Sequence, residues 1–516
     1  MGTQPRRFGE TGSLEKQRIQ KQKELDAQLG TEIKRKLGSF ATPFALAREI
    51  VEYGLSLQNE KPISFIEPAF GTGAIYSALL SSLEERVLDK AVGIEISWQS
   101  LDMARQCWAQ TELELLHEDA LYFEGEKGNL LISNPPYVRH HLLEARTKAE
   151  LKKKVKELTG LSVSGLSGLY VYFVFLSSLW VEKDGLCGWL IPSEFMDVEY
   201  GKALKRFLLD NVDLIAIHHY PTNKSKFEDA LVSSCVVWFK NSLPSPDRKI
   251  LFSFGEHISA PKKSQPIERK QLDPEEKWTH LLDESEEVQD YSCTLGDFFK
   301  VQRGIATGDN NFFILSKEKI EKEGMDFSLF TPVLPAPRNL KVDQIDKNSK
   351  GWPELDSQLF LLNCRLDEEQ LQDEYLSLWK YLETGKESTA KRYLCKSRKK
   401  WYYQEKRKPA PFLLSYMGRG KKDNPMPFRM ILNKSDAIAT NSYLMLYPTE
   451  KLANLLQGNP NSLELCWKFL KGLCSDSFLK EGRSYGGGLK KIEPKELAKV
   501  PCPDLISLLT QARLEY

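Results

Sequence analysis

Several features are missing from this 516-residue sequence, and each absence argues against a class of protein. Its nine cysteines are scattered and form no Cys-x-x-Cys pair, which argues against a zinc ribbon or a disulfide scaffold and suits a reducing compartment. The first residues contain no apolar signal core, and the longest apolar run, Leu169–Val181, is shorter than the roughly 20 residues that a bilayer requires. A cytoplasmic protein without a membrane span is therefore expected.

The sequence also lacks an excess of charge of one sign. Its 72 Lys and Arg residues balance 71 Asp and Glu residues, so the formal net charge is +1. This balance excludes a uniformly basic coat protein but leaves room for a local basic groove. The charge is distributed unevenly, because residues 391–408 contain nine basic residues and one acidic residue, whereas residues 273–290 contain eight acidic residues and one basic residue.

Composition and periodicity divide the chain into four segments. Residues 1–36 are charged and helical, which predicts a solvated or frayed arm, with a DNA-contacting or dimerising arm as the alternative. Residues 37–245 alternate seven apolar strand candidates with helical stretches, which predicts an α/β domain with a mostly parallel sheet. Residues 246–290 are interpreted as an acidic connector. Residues 291–516 form a second region of mixed α+β pattern, rich in proline and aromatic residues.

The first informative motif is the turn after the first strand candidate, in the stretch Phe65–Ala74. Its glycines, Gly71 and Gly73, allow close approach of a ligand, and the helix that follows presents an electropositive N-terminus. Glu95 and Asp119 follow the next two strand candidates, where carboxylates can accept hydrogen bonds from ribose hydroxyls and from an adenine amino group. Because ligands bind outside the carboxyl ends of such strands, these residues predict a nucleotide site.

The second motif, Asn134–Tyr137, has the sequence Asn-Pro-Pro-Tyr and follows the fourth strand candidate. The exocyclic amine of a base or an amide is a poor nucleophile, because its lone pair is delocalised. The Asn134 side-chain oxygen and a backbone carbonyl of the turn can accept its hydrogens and so expose that lone pair. The two prolines hold the turn and remove competing N–H donors, and Tyr137 offers a face for stacking on a base. This motif predicts methylation of a planar amino group.

Together these stretches resemble the gamma class of S-adenosylmethionine-dependent DNA adenine-N6 methyltransferases from type II restriction–modification systems. The order of the motifs matches that class, Gly38–Pro43 resembles its N-terminal cofactor motif, and Leu295–Asn310 resembles the opening of its target-recognition domain. The resemblance implies a Rossmann-like sheet of seven strands, mostly parallel with the last strand antiparallel, and a C-terminal recognition domain. It implies S-adenosylmethionine as the cofactor, bound by Thr42, Glu67, Ala69, Gly71, Gly73, Glu95, Ile96, Asp119 and Ala120.

The resemblance also implies particular roles. Thr42 would hold the methionine carboxylate of the cofactor, and Glu67 would reach its amino group. In that class, an aromatic residue of a later motif packs against the flipped base. We place that role on Phe227, with a core aromatic beside a strand as the alternative. The implied catalytic residues are Asn134, Pro135, Pro136, Tyr137 and Phe227. No metal is expected at His140 and His141, because no carboxylate or cysteine spacing accompanies them.

The basic stretch 391–408 interleaves positive charge with four aromatic residues, a composition that favours contact with phosphates and stacking on bases. A solvated charged loop is the alternative. Further basic residues lie in loops that contain glycine or proline, and one follows the Asn-Pro-Pro-Tyr motif. The candidate DNA-binding residues are Arg139, Arg303, Lys399, Lys400, Trp401, Arg419 and Arg483.

The expected function is site-specific methylation of adenine N6 in double-stranded DNA, after flipping of the base, by a monomer whose functional partner is a cognate restriction endonuclease. Three alternatives stay open at this point. The product could be N4-methylcytosine, the substrate could be an RNA or a protein glutamine, or the chain could be a DNA-binding specificity component without activity.

Overall fold

The computed structural model of the protein describes residues 8–38, 40–58, 62–221, 233–282, 291–420, 426–457, 461–473, 475–485 and 489–514. The chain forms two compact units, one of Met1–Glu284 with Tyr485–Gly487 and one of Ser285–Ser484 with Gly488–Tyr516. Among the described residues, no helix combines the length and the apolar character that crossing a membrane would require.

The first unit contains a large sheet and the helices that cover it. Its strands are β1 Ile63–Glu67, β2 Leu88–Ile94, β3 Leu113–Leu116, β4 Gly128–Ser133, β5 Val181–Pro192, β6 Asp213–His219, β7 Ser234–Lys240, β8 Lys249–Phe254 and β9 Lys263–Glu268. Its helices are α1 Phe8–Leu37, α2 Phe44–Leu57, α3 Ala74–Ser82, α4 Trp98–Trp108, α5 Ala145–Thr159, α6 Leu169–Phe175 and α7 Lys202–Asp210.

The strand order of this sheet is β3-β2-β1-β4-β5-β7-β6-β8-β9. Neighbours from β3 to β5 are parallel, whereas β7 lies antiparallel to both β5 and β6. The sheet therefore has nine strands within the described residues rather than the seven expected from the sequence. The expected seven correspond to β1–β7, and the two additional strands are a parallel neighbour of β6 and an antiparallel edge.

The two additional strands come from the segment that was interpreted as an acidic connector. Ile250 and Phe252 of β8 and Ile267 of β9 are buried in the core on one face of the sheet. The structure thus differs from the expected boundary at residue 245. The acidic residues between 273 and 290 led to the interpretation as a connector, and the two short strands that precede them were assigned to the same segment.

Both faces of the central strands are buried, which explains why they read as continuous apolar runs. Successive residues point to opposite faces, so Phe65 and Leu130 belong to one core, while Ile66 and Leu131 belong to the other. Helices α2, α3 and α4 contribute to the first core, and α6 and α7 contribute to the second. Because helices cover both faces of this sheet, a ligand is expected to bind outside the carboxyl ends of its strands.

Helix α1 differs from the solvated arm that its composition predicted. It packs against α3 and α4, and its described side chains Glu15, Arg18 and Leu25 are buried. The helix is kinked at Gly30, whose φ of 68° and ψ of 163° are not helical. The sequence shows no strong apolar face here because two of the buried side chains are charged and satisfy each other, and an apolar periodicity does not record such a pair.

The remaining elements belong mainly to the second unit. Its strands are β10 Cys293–Thr294, β11 Phe299–Arg303, β12 Ile314–Ser316, β13 Phe330–Val333, β14 Gln344–Ile345, β15 Leu359–Leu362, β16 Phe412–Ser415, β17 Met417–Gly418, β18 Met430–Asn433, β19 Tyr443–Pro448, β20 Arg483–Tyr485, β21 Leu489–Lys491 and β22 Pro501–Cys502. Its helices are α8 Leu295–Phe298, α9 Asn310–Phe313, α10 Lys317–Lys322, α11 Glu368–Glu374, α12 Leu376–Glu383, α13 Tyr393–Lys396, α14 Glu450–Gln457, α15 Ser462–Lys471, α16 Ser475–Glu481, α17 Pro494–Ala498 and α18 Leu505–Leu514.

A five-stranded sheet of order β11-β19-β16-β18-β14 forms the centre of this unit. One of its cores lies against the helices near the end of the chain and includes Leu414, Leu446 and Leu470. A three-stranded sheet of order β12-β15-β13 supports a separate core that includes Phe313 and Phe360. Strands with little βα alternation account for the irregular pattern of the sequence after residue 291.

Candidate active site

The carboxyl ends of three adjacent strands meet beside one cavity in the first unit. Glu67 is the last residue of β1, Glu95 follows β2, and Asn134 follows β4. All three side chains line a cavity of about 430 Å³, which we call the cofactor cavity. Because β1 is a parallel neighbour of both β2 and β4, the order of the strands brings together residues that are far apart in the sequence.

Almost all of the residues that we predicted to bind the cofactor line this cavity. Of the expected cofactor set, the residues in its lining are Thr42, Glu67, Ala69, Gly71, Glu95, Ile96, Asp119 and Ala120. Asn134 and Pro136 of the second motif line it as well. Gly73 does not, but its φ of +84° is a left-handed conformation, and a Cβ there would lie 2.6 Å from the Phe70 ring and from Trp108 Nε1. Gly73 therefore serves the turn itself.

The glycine loop between β1 and α3 is held by its neighbours. The Glu95 carboxylate accepts hydrogen bonds from the backbone N–H of Gly71 at 2.8 Å and of Ser97 at 2.7 Å. The indole N–H of Trp108 donates to the Thr72 carbonyl at 3.0 Å. Burial raises the pKa of Glu95, and the two N–H groups oppose that rise. The backbone N–H of Ile96 also lowers the pKa of Glu95 by hydrogen bonding. A carboxylate accepts about four hydrogen bonds, so Glu95 can still accept one from a hydroxyl group of a ligand.

Glu67 presents an unpaired carboxylate oxygen to the cavity. Its side chain is only 2% exposed, and no described residue donates a hydrogen bond to Oε2. Burial and the nearby charge of Glu95 raise the pKa of Glu67 well above its ordinary value, and the positive charge of Arg18 opposes them. An isolated buried acceptor is costly unless a partner arrives. This oxygen therefore suits a ligand that carries an amino group.

Asn134 is oriented with its amide oxygen available. Its Nδ2 donates to the Phe40 carbonyl and to Thr42 Oγ1, both at 3.1 Å, which assigns the nitrogen to that side. Oδ1 is buried, and it has no hydrogen-bond partner in the described part of the chain. The arrangement offers one fixed acceptor to an incoming N–H group. The Thr42 hydroxyl oxygen accepts a hydrogen bond from the Asn134 amide. The Gly38–Pro43 motif alone did not indicate this contact.

The prolines and Tyr137 hold the turn after β4 in place. Pro135 is buried, and the backbone N–H of Tyr137 donates to the Gly38 carbonyl at 3.0 Å. The half-buried Tyr137 donates its hydroxyl to the Leu190 carbonyl at 3.0 Å, and burial raises its pKa well above the ordinary value. Its ring lies 6.2 Å from that of Phe40. Phe227, proposed to close on the base, lies outside the described residues.

Asp119 and Ile96 also line the cavity. Asp119 Oδ1 accepts from the Leu121 N–H at 3.0 Å, which caps a short turn that begins at the buried Ala120. Ile96 is 65% exposed. An exposed aliphatic side chain and a carboxylate in one lining suit one face and one edge of a flat heterocycle.

Some residues that line the cavity were not predicted from the sequence. Helix α1 contributes three of them, and aromatic and aliphatic side chains from other elements contribute the rest: Gln22, Leu25, Leu29, Phe40, Phe70, Leu169 and Phe173. Leu25 and Leu29 are four residues apart and so share one helix face. That spacing is a sequence signal for burial of this face of α1, and two residues are too few to stand out among the charges.

The expected DNA-binding residues are dispersed, and several already have partners. In the second unit, Arg303 donates to the Asn441 carbonyl at 3.0 Å and lies over the Tyr416 ring at 4.0 Å. Two others form ion pairs, Arg483 at 2.6 Å from Glu496 and Lys400 at 3.8 Å from Glu368. Lys399 and Arg419 are exposed. In the first unit, Arg139 is exposed beside the second motif.

The aromatic residues of the basic segment, residues 391–408, differ from the expected stacking surface. Trp401 packs against the rings of Phe312 at 5.5 Å and Phe313 at 5.9 Å, and Tyr402 is 1% exposed. Only Tyr393, 86% exposed, projects from the described segment as a free aromatic surface. The dense aromatics thus reflect a core beneath the charged residues, because long cationic side chains reach solvent while rings pack inward.

The two histidines after the second motif lie side by side, with ring centroids 5.4 Å apart. Among the residues that the structure describes, no three His, Cys, Asp or Glu side chains form a group that could hold a metal ion.

Two family models match the chain. The model for the Eco57I restriction-modification methylase matches residues 81–227, and the model for the C-terminal domain of the type II methyltransferase M.Eco57I matches residues 275–515. The type II methyltransferase M.XamI of Xanthomonas campestris pv. amaranthicola is 30% identical over 381 residues, which cover 73% of this chain and 68% of that protein. The type II methyltransferase M.AccI of Acinetobacter calcoaceticus is 25% identical over 504 residues, which cover 94% of this chain and 88% of that protein.

A solved structure shares the fold. A cryo-electron-microscopy structure of a DrdV–DNA complex matches with a TM-score of 0.54 at 13% sequence identity, over 97% of this chain and 59% of that one. At this identity the likeness extends to the fold alone.

Proposed function

The chain belongs to the type II methyltransferases of restriction–modification systems, and we propose that it transfers a methyl group from S-adenosylmethionine to N6 of an adenine flipped out of duplex DNA. The observation that carries this proposal is Asn134, whose buried amide oxygen has no partner among the described residues and lines the cofactor cavity. An acceptor in that state is suited to an exocyclic amine.

The residues of the cavity fit S-adenosylmethionine. The cofactor has a methionine end with an ammonium group, a ribose and an adenine, and the cavity offers an unpaired carboxylate oxygen at Glu67, further lone pairs at Glu95, and Asp119 beside Ile96. Thr42 at the cavity wall is the hydroxyl proposed for the methionine carboxylate. When bound, this cofactor supplies an activated methyl group on its sulfonium.

The role of the protein is to present the acceptor nitrogen. Asn134 Oδ1 and the Pro135 carbonyl would accept the two N–H groups of the amine, which directs its lone pair away from the ring. The hydrogen bonds from Asn134 Nδ2 to Phe40 and Thr42 hold the amide in this orientation before any substrate arrives. Tyr137 would stack on the base, and Phe227 would cover it. No covalent enzyme intermediate is required.

The target amine is not accessible for this chemistry within a stacked duplex, so the proposal includes base flipping, which costs a few kcal/mol. The second unit would recognise the DNA sequence, and the protein would act as a monomer. Methylation of the site would protect it from a cognate restriction endonuclease. Of the proposed DNA-binding residues, Arg139, Arg303, Lys399 and Arg419 are exposed, as is Tyr393, and these would be accessible to DNA.

The direct test is to incubate the protein with S-adenosylmethionine and plasmid DNA, digest the DNA to nucleosides and identify the modified base by mass spectrometry. We expect N6-methyldeoxyadenosine at a single sequence context. N4-methyldeoxycytidine would change the target, and methylation of RNA or of a protein glutamine in parallel reactions would change the substrate class. Cofactor binding with no transfer to any of these substrates would favour a specificity component.

A further inference from the structure

Helix α1 makes direct contact with the glycine loop of the cofactor cavity. Arg18, which is 3% exposed, donates from Nη1 to Thr72 Oγ1 at 3.2 Å. The same Thr72 hydroxyl donates to Gln22 Oε1, one turn further along α1, at 2.7 Å. Thr72 lies between the two glycines of the loop, so both hydrogen-bonding functions of its side chain are occupied by α1.

The position of Arg18 is itself determined by a buried network. Its Nε and Nη2 donate to the two carboxylate oxygens of Glu15 at 2.8 and 2.7 Å. Glu15 Oε2 also accepts from Ser77 Oγ in α3 at 2.6 Å. A bidentate pair with a further hydrogen bond fixes the plane of the guanidinium. Because burying two charges is costly, such a pair is weak evidence for stability, and its specific effect is geometric.

Other features of α1 point to the same site. Gln22, Leu25 and Leu29 line the cofactor cavity, and Leu25 is 3% exposed. The positive charge of Arg18 lowers the pKa of Glu67 against the effect of burial, and so favours the carboxylate form that an ammonium group would meet. Four hydrogen bonds therefore reach the glycine loop, two from Glu95 and Trp108 and two from α1, through Arg18 and Gln22.

We propose that Arg18 is a positioning residue for the cofactor, which holds Thr72 and the glycine loop in the conformation that accepts S-adenosylmethionine, so that helix α1 is a working part of the cofactor site. This inference rests on the proposed function for the identity of the cofactor. It predicts that cofactor affinity depends on side chains of a helix that precedes every recognised motif.

The test compares two ways of breaking the contact in the full chain. Thr72→Val removes the hydroxyl and keeps the shape of the side chain. The double variant Glu15→Gln with Arg18→Met removes both buried charges together, keeps an acceptor for Ser77 and keeps the aliphatic length of Arg18. Binding of S-adenosylhomocysteine is measured by calorimetry. Both variants should weaken binding about 5- to 30-fold, the factor that one or two lost hydrogen bonds produce.

Two controls separate positioning from general stability. Thr72→Ser retains the hydroxyl and should bind within about twofold of wild type, since it keeps both hydrogen bonds. Arg48→Met removes an exposed ion pair with Glu52 on α2 and should leave the affinity unchanged. In steady-state kinetics, Thr72→Val should raise the KM for S-adenosylmethionine more than it lowers kcat.

The outcomes also separate this inference from the proposed function. If the wild-type protein binds neither S-adenosylmethionine nor its product, the proposed function fails. If the wild-type protein binds the cofactor product, and Thr72→Val and the double variant of α1 both bind it with wild-type affinity, the inference on α1 is overturned. The proposed function then stands. Loss of affinity in Thr72→Ser equal to that in Thr72→Val would likewise overturn it.

Discussion

The cofactor cavity of the first unit and the basic segment of the second unit bury different kinds of group. In the lining of the cavity, two buried polar acceptors, Glu67 Oε2 and Asn134 Oδ1, have no partner among the described residues. In the basic segment, the rings of Trp401 and Tyr402 pack into an apolar core, Gln404 is buried with them, and most of the charged side chains extend toward solvent.

This difference separates a site that awaits a ligand from a surface that covers a core. A buried acceptor without a donor costs free energy in the free protein, and the cost is recovered only when a ligand donates to it. A buried ring is stabilised by the protein itself. Substitutions in the cavity should therefore change binding and catalysis with little loss of stability, whereas inward substitutions in the basic segment should do the opposite.

The largest effect is expected for Asn134→Ala. Loss of the amide oxygen removes the acceptor for the target amine and should lower the single-turnover rate of methyl transfer about 100- to 1,000-fold, by analogy with the loss of one preorganised hydrogen-bonding group. Cofactor affinity should change only a few-fold. Asn241→Ala removes an Asn side chain that donates to Val181 and Glu182 and serves as the control. Near-wild-type turnover in Asn134→Ala would contradict the assignment.

Trp401→Ala should destabilise the second unit by about 2–3 kcal/mol, because it removes a ring packed against Phe312 and Phe313. Urea denaturation followed by a probe in that unit measures the change. Cofactor affinity should stay at the wild-type level. Tyr393→Ala, at an 86% exposed position, is the matched control and should leave stability unchanged. Equal stability of the two variants would show that Trp401 is not a core residue.

Glu67→Gln should raise the dissociation constant for S-adenosylmethionine about 10- to 100-fold, because the acceptor for the ammonium group loses its negative charge. Without ligand, the same change should stabilise the protein at neutral pH. Burial raises the pKa of Glu67 in the folded state, so folding binds a proton, and wild-type stability falls as pH rises from the unfolded value of about 4.3 toward that raised pKa.

A glutamine does not titrate, so the stability advantage of Glu67→Gln should be larger at pH 8 than at pH 5. Chemical denaturation of both proteins without ligand at the two pH values measures this difference. An advantage that is independent of pH, or larger at pH 5, would show that Glu67 is ionised at low pH and paired in the folded protein.

The smallest effect is expected for Tyr393→Ala on DNA binding. If the exposed ring stacks on a base or packs on the sugar backbone, its loss should weaken DNA binding about fivefold without change in cofactor affinity. Tyr393→Phe retains the ring and should bind as the wild type does. Fluorescence anisotropy measures the affinities, with a labelled duplex that contains the sequence that the protein methylates. Unchanged binding in Tyr393→Ala would leave the exposed cations as the DNA contacts in this segment.

Much of the first unit could be predicted from the sequence. Motifs after β1, β2 and β4 are local in sequence, and parallel topology brings strand ends together whatever the loops contain, which is why Glu67, Glu95 and Asn134 line one cavity. Strands β8 and β9 were not predicted, because their short apolar stretches were assigned to one connector together with the acidic residues 273–290. The packing of α1 was also missed, since its buried charged pair has no apolar signature.

Local sequence by itself determined which residues end the strands, where the backbone turns at Gly71 and Gly73, and which chemistry the Asn-Pro-Pro-Tyr turn can support. Only the tertiary structure decided which polar atoms are buried without partners, which aromatics of the basic segment face inward, and that Arg18 reaches Thr72. These outcomes depend on contacts between residues distant in the chain, and hydrogen bonding and burial are properties of such contacts rather than of composition or spacing.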